Sequence, residues 1–362
     1  MGYSQSLGCF FQNAMPYIVV ISLTFGYAGM NIISTVSLAR GMSHYVLVVY
    51  RHAFATAVMA PFALFFERNV RPKITFKIFV QLFVLALLGP VIDQNFYYLG
   101  LKMTSPTFSC AIGNMLPSMT FIMAVLCRME KLDLKNVRCQ AKVLGTIVTV
   151  VGAMLMTFYK GSVINFFWTG HGRHTNTPPT AAAAAAAANP HNDGKFIKGS
   201  ILLIIATLAW AAFFILQAIT MRKYTAHLSL TTMVCFLGTL QAIVVTLAMD
   251  HPRHSWSIGW DMNLLAAAYG GIVSSGLAYY LQGLVMKRKG PVFVTAFGPL
   301  VIVIVGFMGS LILGEKVYVG GIIGALLIGV GLYSVLWGKC NDVEDAAEAV
   351  KREELPVINQ PI

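Results

Sequence analysis

Charge is scarce in this sequence: Asp, Glu, Lys and Arg make up 11% of its 362 residues, and 57% are hydrophobic. Soluble domains carry about 25% charged residues, so a soluble globular fold is excluded. Six cysteines (Cys9, Cys110, Cys127, Cys139, Cys235, Cys340) are scattered without a CxxC pair, which excludes a disulfide framework and a zinc module. Between Met1 and Pro16 there is no Lys or Arg. A cleaved signal peptide needs such a basic start, so the first apolar span is expected to be an uncleaved signal anchor. Neither a Walker loop, nor HExxH, nor GxSxG, nor a paired-carboxylate arrangement occurs. An ATP-driven pump and an intramembrane enzyme are thereby disfavoured, and no catalytic residue, metal or other cofactor is expected.

What the chain has instead is long apolar runs. Crossing a hydrocarbon core takes about 20 apolar residues per helix. Ten stretches qualify, at 17–39, 44–66, 78–101, 105–127, 141–159, 198–220, 229–249, 264–286, 291–313 and 318–338. The fold class is therefore an all-α membrane protein. Its net charge of +12 sits in the short loops between spans. With the N-terminus inside, cytoplasmic segments hold 17 Lys and Arg, among them Arg68, Arg71, Lys131, Arg222 and Lys287, and the other side holds eight. That asymmetry follows the positive-inside rule and places both termini in the cytosol. A basic face beside anionic lipid accounts for the charge, and no nucleic-acid partner is expected.

The two halves of the chain run in step. Pro106 precedes Glu130-Lys131 by 24 residues, and Pro291 precedes Glu315-Lys316 by the same 24. Gly89 and Tyr97-Tyr98 answer to Gly271 and Tyr279-Tyr280, and Gly145 and Gly152 to Gly324 and Gly331, at offsets between 179 and 185. A duplicated unit leaves this signature. Five spans per copy is an odd number, so the second copy must enter the membrane upside down, giving a five-plus-five inverted repeat. The expected organisation is a cytosolic segment 1–16, a first repeat 17–159, a non-cytosolic linker 160–197, a second repeat 198–338 and a cytosolic tail 339–362. Ala181 to Ala188 form an alanine run closed by prolines, expected to be a loop. His171/His174 and His251/His254 lie in loops without a third ligand and are read as solvated side chains.

Ionisable residues inside spans are costly and mark candidate functional positions. Arg51 and Asp93 each lie seven to eight residues below the outer boundary, about 10–12 Å deep at 1.5 Å per residue, and are expected to form an intramembrane ion pair or gating pair. His52 points about 100° away around the same helix and is a weaker candidate for proton coupling. Polar stripes recur in both halves. Thr24, Tyr27, Asn31 and Ser34 are answered by Thr207, Trp210, Phe214 and Gln217; Asp93, Tyr97 and Gly100 by Ser275, Tyr279 and Gln282; and Cys110, Asn114 and Ser118 by Thr295 and Pro299. Polar groups facing lipid would be unsatisfied, so the stripes should face protein or a wet cavity. Asn31, Tyr97, Asn114, Trp210, Gln217, Tyr279, Gln282 and Thr295 are the expected substrate path. Amides, hydroxyls and aromatic faces there suit a small zwitterionic or amphipathic solute. Pro90, Pro117 and Pro299 are candidate helix breaks. Gly145, Gly152, Gly320, Gly324 and Gly331 allow close helix packing, within the chain or across a homodimer seam.

Phe25-Gly-Tyr-Ala-Gly29, Tyr50-Arg-His52, Asp93-Gln-Asn95, Tyr97-Tyr98, Thr104-Ser-Pro106, Gly290-Pro-Val-Phe293, Gly321-Ile-Ile-Gly324 and Gly331-Leu-Tyr333 together resemble one family. It is the plant nodulin-like branch of the drug/metabolite transporter superfamily, with two EamA repeats, also called walls-are-thin-related or usually-multiple-acids-move-in-and-out transporters. The resemblance covers about residues 15–340. It implies ten helices and a carrier, commonly one that exports amino acids or moves them both ways at the plasma membrane. Some relatives look like vacuolar carriers of auxin-type indoles.

Overall fold

The computed structural model describes residues 2–104, 106–130, 136–159, 162–164, 193–249, 256, 259, 261–313 and 317–354. The alanine run, both histidine pairs, Glu315-Lys316 and the last eight residues lie outside them. The described chain is a helical bundle: α1 (Gly2–Ala39), α2 (His44–Phe66), α3 (Phe76–Met103), α4 (Pro106–Gly113 and Leu116–Leu126), α5 (Val137–Phe158), α6 (Asp193–Lys223), α7 (His227–Met249), α8 (Met262–Lys289), α9 (Pro291–Ala296 and Gly298–Leu313) and α10 (Val319–Glu354). Among the described residues ten spans are long and apolar enough to cross a membrane, as the hydropathy pattern requires. Helix extends furthest past the expected spans at three places: α1 starts at Gly2, α6 starts at Asp193, and α10 runs on to Glu354. Two strands of two residues, β1 (Val163–Ile164) and β2 (Val317–Tyr318), pair antiparallel where α5 ends and α10 begins. Large apolar side chains such as Phe65, Phe76, Leu126, Val244 and Leu326 are exposed around the bundle, where hydrocarbon is their solvent.

The helices pack in an exchanged pattern. α1 lies on α8 and α9, while α6 lies on α3 and α4. α2 packs on α7 and the middle of α8, while α7 packs on α2 and the middle of α3. α5 packs against α10. This is the pairing that an inverted repeat would produce. At the α5–α10 contact the approach is backbone to backbone: a Cβ on Gly145 would sit 2.7 Å from the Gly331 carbonyl oxygen, and one on Gly324 would sit 2.7 Å from that of Gly152. The glycines read in the sequence as a packing face therefore meet within the chain.

Local chemistry sets the ends and the breaks. Asp261 caps α8, its carboxylate accepting from the Asn263 and Leu264 backbone N–H groups, as an N-cap residue does. Gly290, at φ 85°, turns the chain between α8 and Pro291, which opens α9; few L-residues tolerate that angle. Both α4 and α9 are broken just before a proline, at Asn114-Met115 ahead of Pro117 and at Phe297 ahead of Pro299. The breaks align the repeats at an offset of 182, so Pro299 answers Pro117. The assignment of Pro299 opposite Asn114 is corrected accordingly.

Hydropathy gave no warning of the middle of α3 and α8. Residues Leu87–Asp93 of α3 and Gly270–Leu277 of α8 are π-helical. Pro90 lies within the first of these stretches and has no N–H to give the ladder. Gly271 lies in the second, where a Cβ would strike the Arg51 carbonyl oxygen. Wide turns of this kind re-aim side chains and concentrate at functional sites.

Candidate functional site

A cavity with room of about 160 Å³ for water-sized molecules lies between α1, α2, α3, α6 and α8. α1 supplies Tyr27, Met30, Asn31 and Ser34; α2 Arg51; α3 Asp93, Gln94, Tyr97 and Tyr98; α6 Trp210; α8 Ser274. Tyr27 and Trp210 stand near the middle of their spans, Ala14–Leu38 and Gly194–Lys223, so the floor of the cavity is close to mid-membrane. Its walls rise from there toward the end of the bundle where α1 finishes, the far end. Asn31 on the wall and Thr35 one turn beyond are exposed.

The opposite, near end is closed in two layers. First comes a hydrogen-bonded chain across three helices. The Tyr27 hydroxyl donates to Gln282 Oε1 at 2.9 Å, Gln282 Nε2 to Gln217 Oε1 at 3.1 Å, and Gln217 Nε2 to the Tyr279 carbonyl at 2.8 Å. Trp210 stacks on Phe213 at 5.0 Å, and Tyr279 lies 5.1 Å from Phe213, filling the same layer with rings. Below them is an apolar plug of Val20, Phe214, Ala218, Met286, Phe293 and Phe297, all buried. At that end Glu67, just after α2, accepts from the Leu228 and Ser229 N–H groups at 2.8 and 2.6 Å. Arg71 reaches back to Ser229 Oγ at 3.0 Å and the Ala63 carbonyl at 3.2 Å, so the ends of α2 and α7 are tied.

Arg51 is 7% exposed, and its partners among the described residues are neutral oxygens. Its Nε donates to Ser275 Oγ at 2.7 Å, Nη2 to Ser274 Oγ at 3.1 Å and Nη1 to Gln94 Oε1 at 3.3 Å. It thus links α2 to the π-helical stretch of α8 and to the first residue after that of α3. Asp93 lines the same cavity. Among the described residues its carboxylate makes no hydrogen bond, and no ion pair joins it to Arg51. The two side chains line one space without touching. His52 is not among the lining residues; it is fully buried, with its ring 6.3 Å from that of Tyr279. Neither of its ring nitrogens has a partner among the described residues.

Of the positions expected on a substrate path, Asn31, Tyr97 and Trp210 line the cavity, and Gln217, Tyr279 and Gln282 form the closure beneath it. Asn114 and Thr295 are buried beside the breaks in α4 and α9 and are not among the lining residues. Gln94 and Ser274, partners of Arg51, were missed as site residues. A signal for the second was present, since Ser274-Ser275 stands where the other half has Asp93.

A cavity at mid-depth between exchanged halves of a ten-span bundle defines a membrane transport protein. The chain belongs to the EamA-like transporter family, whose sequence profile matches residues 14–158 and 197–337, and it is a transporter rather than an enzyme. It is 63% identical over 341 residues to one WAT1-related protein of Arabidopsis thaliana, covering 92% of this chain and 83% of that one. Two others from the same plant are 55% and 52% identical, covering 95% and 92% of this chain and 83% and 85% of theirs. A solved crystal structure shares the fold at a TM-score of 0.65 and 14% identity, covering 89% of this chain and 97% of that one.

Proposed function

We propose that this protein is a secondary carrier that moves amino acids by alternating access, mainly outward from the cytosol, as facilitative export or two-way movement at the plasma membrane. One observation carries the reading: a mid-membrane cavity reachable from the far end and sealed toward the near end by the Tyr27–Gln282–Gln217 chain and the plug below it. A pore would be continuous; a carrier closes one side while the other is open. The Lys and Arg bias makes the near end cytosolic, along with both termini, so the cavity faces outward in this state. The expected domain plan, two five-helix repeats as an inverted pair around a non-cytosolic linker, supplies the halves that rock. The closing chain is the inner gate, and Asn31, Tyr97 and Trp210 contact the solute. Asn114 and Thr295, beside the breaks in α4 and α9, serve as hinge positions rather than as contacts to the solute. The glycine faces of α5 and α10 are occupied within the chain, so a homodimer would need another surface.

A second reading within the same class is a carrier of auxin-type indole acids, at the vacuolar or plasma membrane. The ring wall of Tyr27, Tyr97, Tyr98 and Trp210 favours it, since aromatic faces suit an indole. Flux of labelled amino acids and of indole-3-acetate in proteoliposomes, with and without unlabelled solute inside and with and without a pH gradient, tests both. Saturable, trans-stimulated amino-acid flux is expected. Saturable flux confined to indole acids favours the second reading, flux linear in concentration indicates a channel, and no flux of either indicates a scaffold.

A further inference from the structure

We propose that Arg51 and Asp93 are the two poles of a zwitterion site, Arg51 taking the α-carboxylate of the solute and Asp93 its α-ammonium. The inference rests on the carrier reading and assigns the solute's atoms to named side chains. A guanidinium has five N–H donors. Three of those on Arg51 are committed to Ser275, Ser274 and Gln94, which leaves one on each terminal nitrogen of a side chain that lines the cavity. The three committed bonds go to neutral acceptors, so they orient the guanidinium without cancelling its charge. Asp93 offers a carboxylate with no hydrogen-bond or ion-pair partner among the described residues. A buried carboxyl without a partner gives up its charge, because an unpaired charge there is costly, and contact between Arg51 and Asp93 would offset that cost for both. They are held apart by their frames instead, Arg51 by its three bonds and Asp93 as the last residue of a π-helical stretch.

The chemistry that satisfies both poles at once is a small molecule with a carboxylate and an ammonium on one carbon. A simple carboxylic acid leaves Asp93 bare, and a simple amine leaves the two Arg51 donors bare. Discrimination of this kind comes from leaving the site's own polar groups unpaired. The repeat adds a reason for the polarity, because the position answering to Asp93 is Ser275, a neutral partner of Arg51. One carboxylate and one guanidinium therefore remain, and the loaded site is neutral overall. Trp210 and Tyr97 remain to receive the side chain.

The test uses the full-length chain in proteoliposomes, with L-phenylalanine, 3-phenylpropionate and phenethylamine, which share one side chain, and an L-leucine series with 4-methylpentanoate and 3-methylbutylamine. The wild-type chain is expected to carry each amino acid at least about tenfold faster than either analogue. In Asp93→Asn, amino-acid flux is expected to fall about tenfold and its advantage over the des-amino acid to vanish. Arg51 also ties three helices together, so Asp93→Asn carries the test. Arg51→Gln is read beside thermal unfolding, with the advantage over the amine expected to vanish in the folded fraction. Equal loss of amino acid and des-amino acid in Asp93→Asn, with or without a change in pH dependence, overturns the proposal, as does no loss of either. Wild-type protein without saturable flux of any of these solutes overturns the carrier reading itself.

Discussion

A buried guanidinium is held where its N–H groups find acceptors, and at Arg51 three of the five do so, on α3 and α8 together. The sequence placed Arg51 and Asp93 at one depth, and both do face one cavity. Contact was not legible, because the π-helical turn before Asp93 changes which way its side chain leaves the helix, and an extra residue per turn leaves no mark in hydropathy. The glutamines had a clearer signal. Gln217 and Gln282 belonged to stripes repeated in both halves, and the structure joins them in one chain. That chain yields a prediction at this scale. Gln282→Leu strands the Tyr27 hydroxyl and the Gln217 amide, at a cost to the closed arrangement of about 1–3 kcal/mol, or roughly fivefold to 150-fold in the ratio of open to closed. Tyr27→Phe removes one neutral hydrogen bond and should act in the same direction at about 1 kcal/mol. Labelling of Ala218→Cys from the cytosolic side measures both, with Gln282→Leu the larger. Equal or absent effects would remove the chain from the gate.

Among elements, the pair α5 and α10 has the plainest logic. Its glycines were visible as a packing face in the sequence, but whether that face met the same chain or another depended on three-dimensional placement. Gly331→Leu forces a side chain into the Thr149 hydroxyl and backbone, and overpacking of this sort costs about 1–3 kcal/mol. A lower midpoint of thermal unfolding in detergent is expected, with flux per folded molecule little changed because none of the described residues lining the cavity belongs to α5 or α10. At the near end, Glu67→Gln weakens the acceptor that caps α7 and removes a negative charge from that helix start, worth about 1 kcal/mol. A modest drop in the same midpoint checks it, and no change would show that water replaces the carboxylate. The breaks in α4 and α9 were half legible: proline announced them, and only the observed turns showed that Pro117 and Pro299 are the matching positions.

At the scale of the molecule, ten spans could be read from the apolar runs of the sequence, and the exchanged packing of α1, α2, α6 and α7 adds what those runs lacked. If the halves trade roles, the repeat offset of 183 says which residues trade exposure. Thr35 on α1 is exposed beyond the cavity, and its counterpart Ala218 on α6 is fully buried in the plug. The most direct measurement is the reactivity of Thr35→Cys from outside and of Ala218→Cys from the cytosolic side, each in a chain with its native cysteines replaced, toward a membrane-impermeant maleimide. Thr35→Cys should react and Ala218→Cys should be protected, and adding Gln282→Leu should slow the first while speeding the second. Both rates rising together, or Ala218→Cys staying protected under every condition, would contradict alternating access.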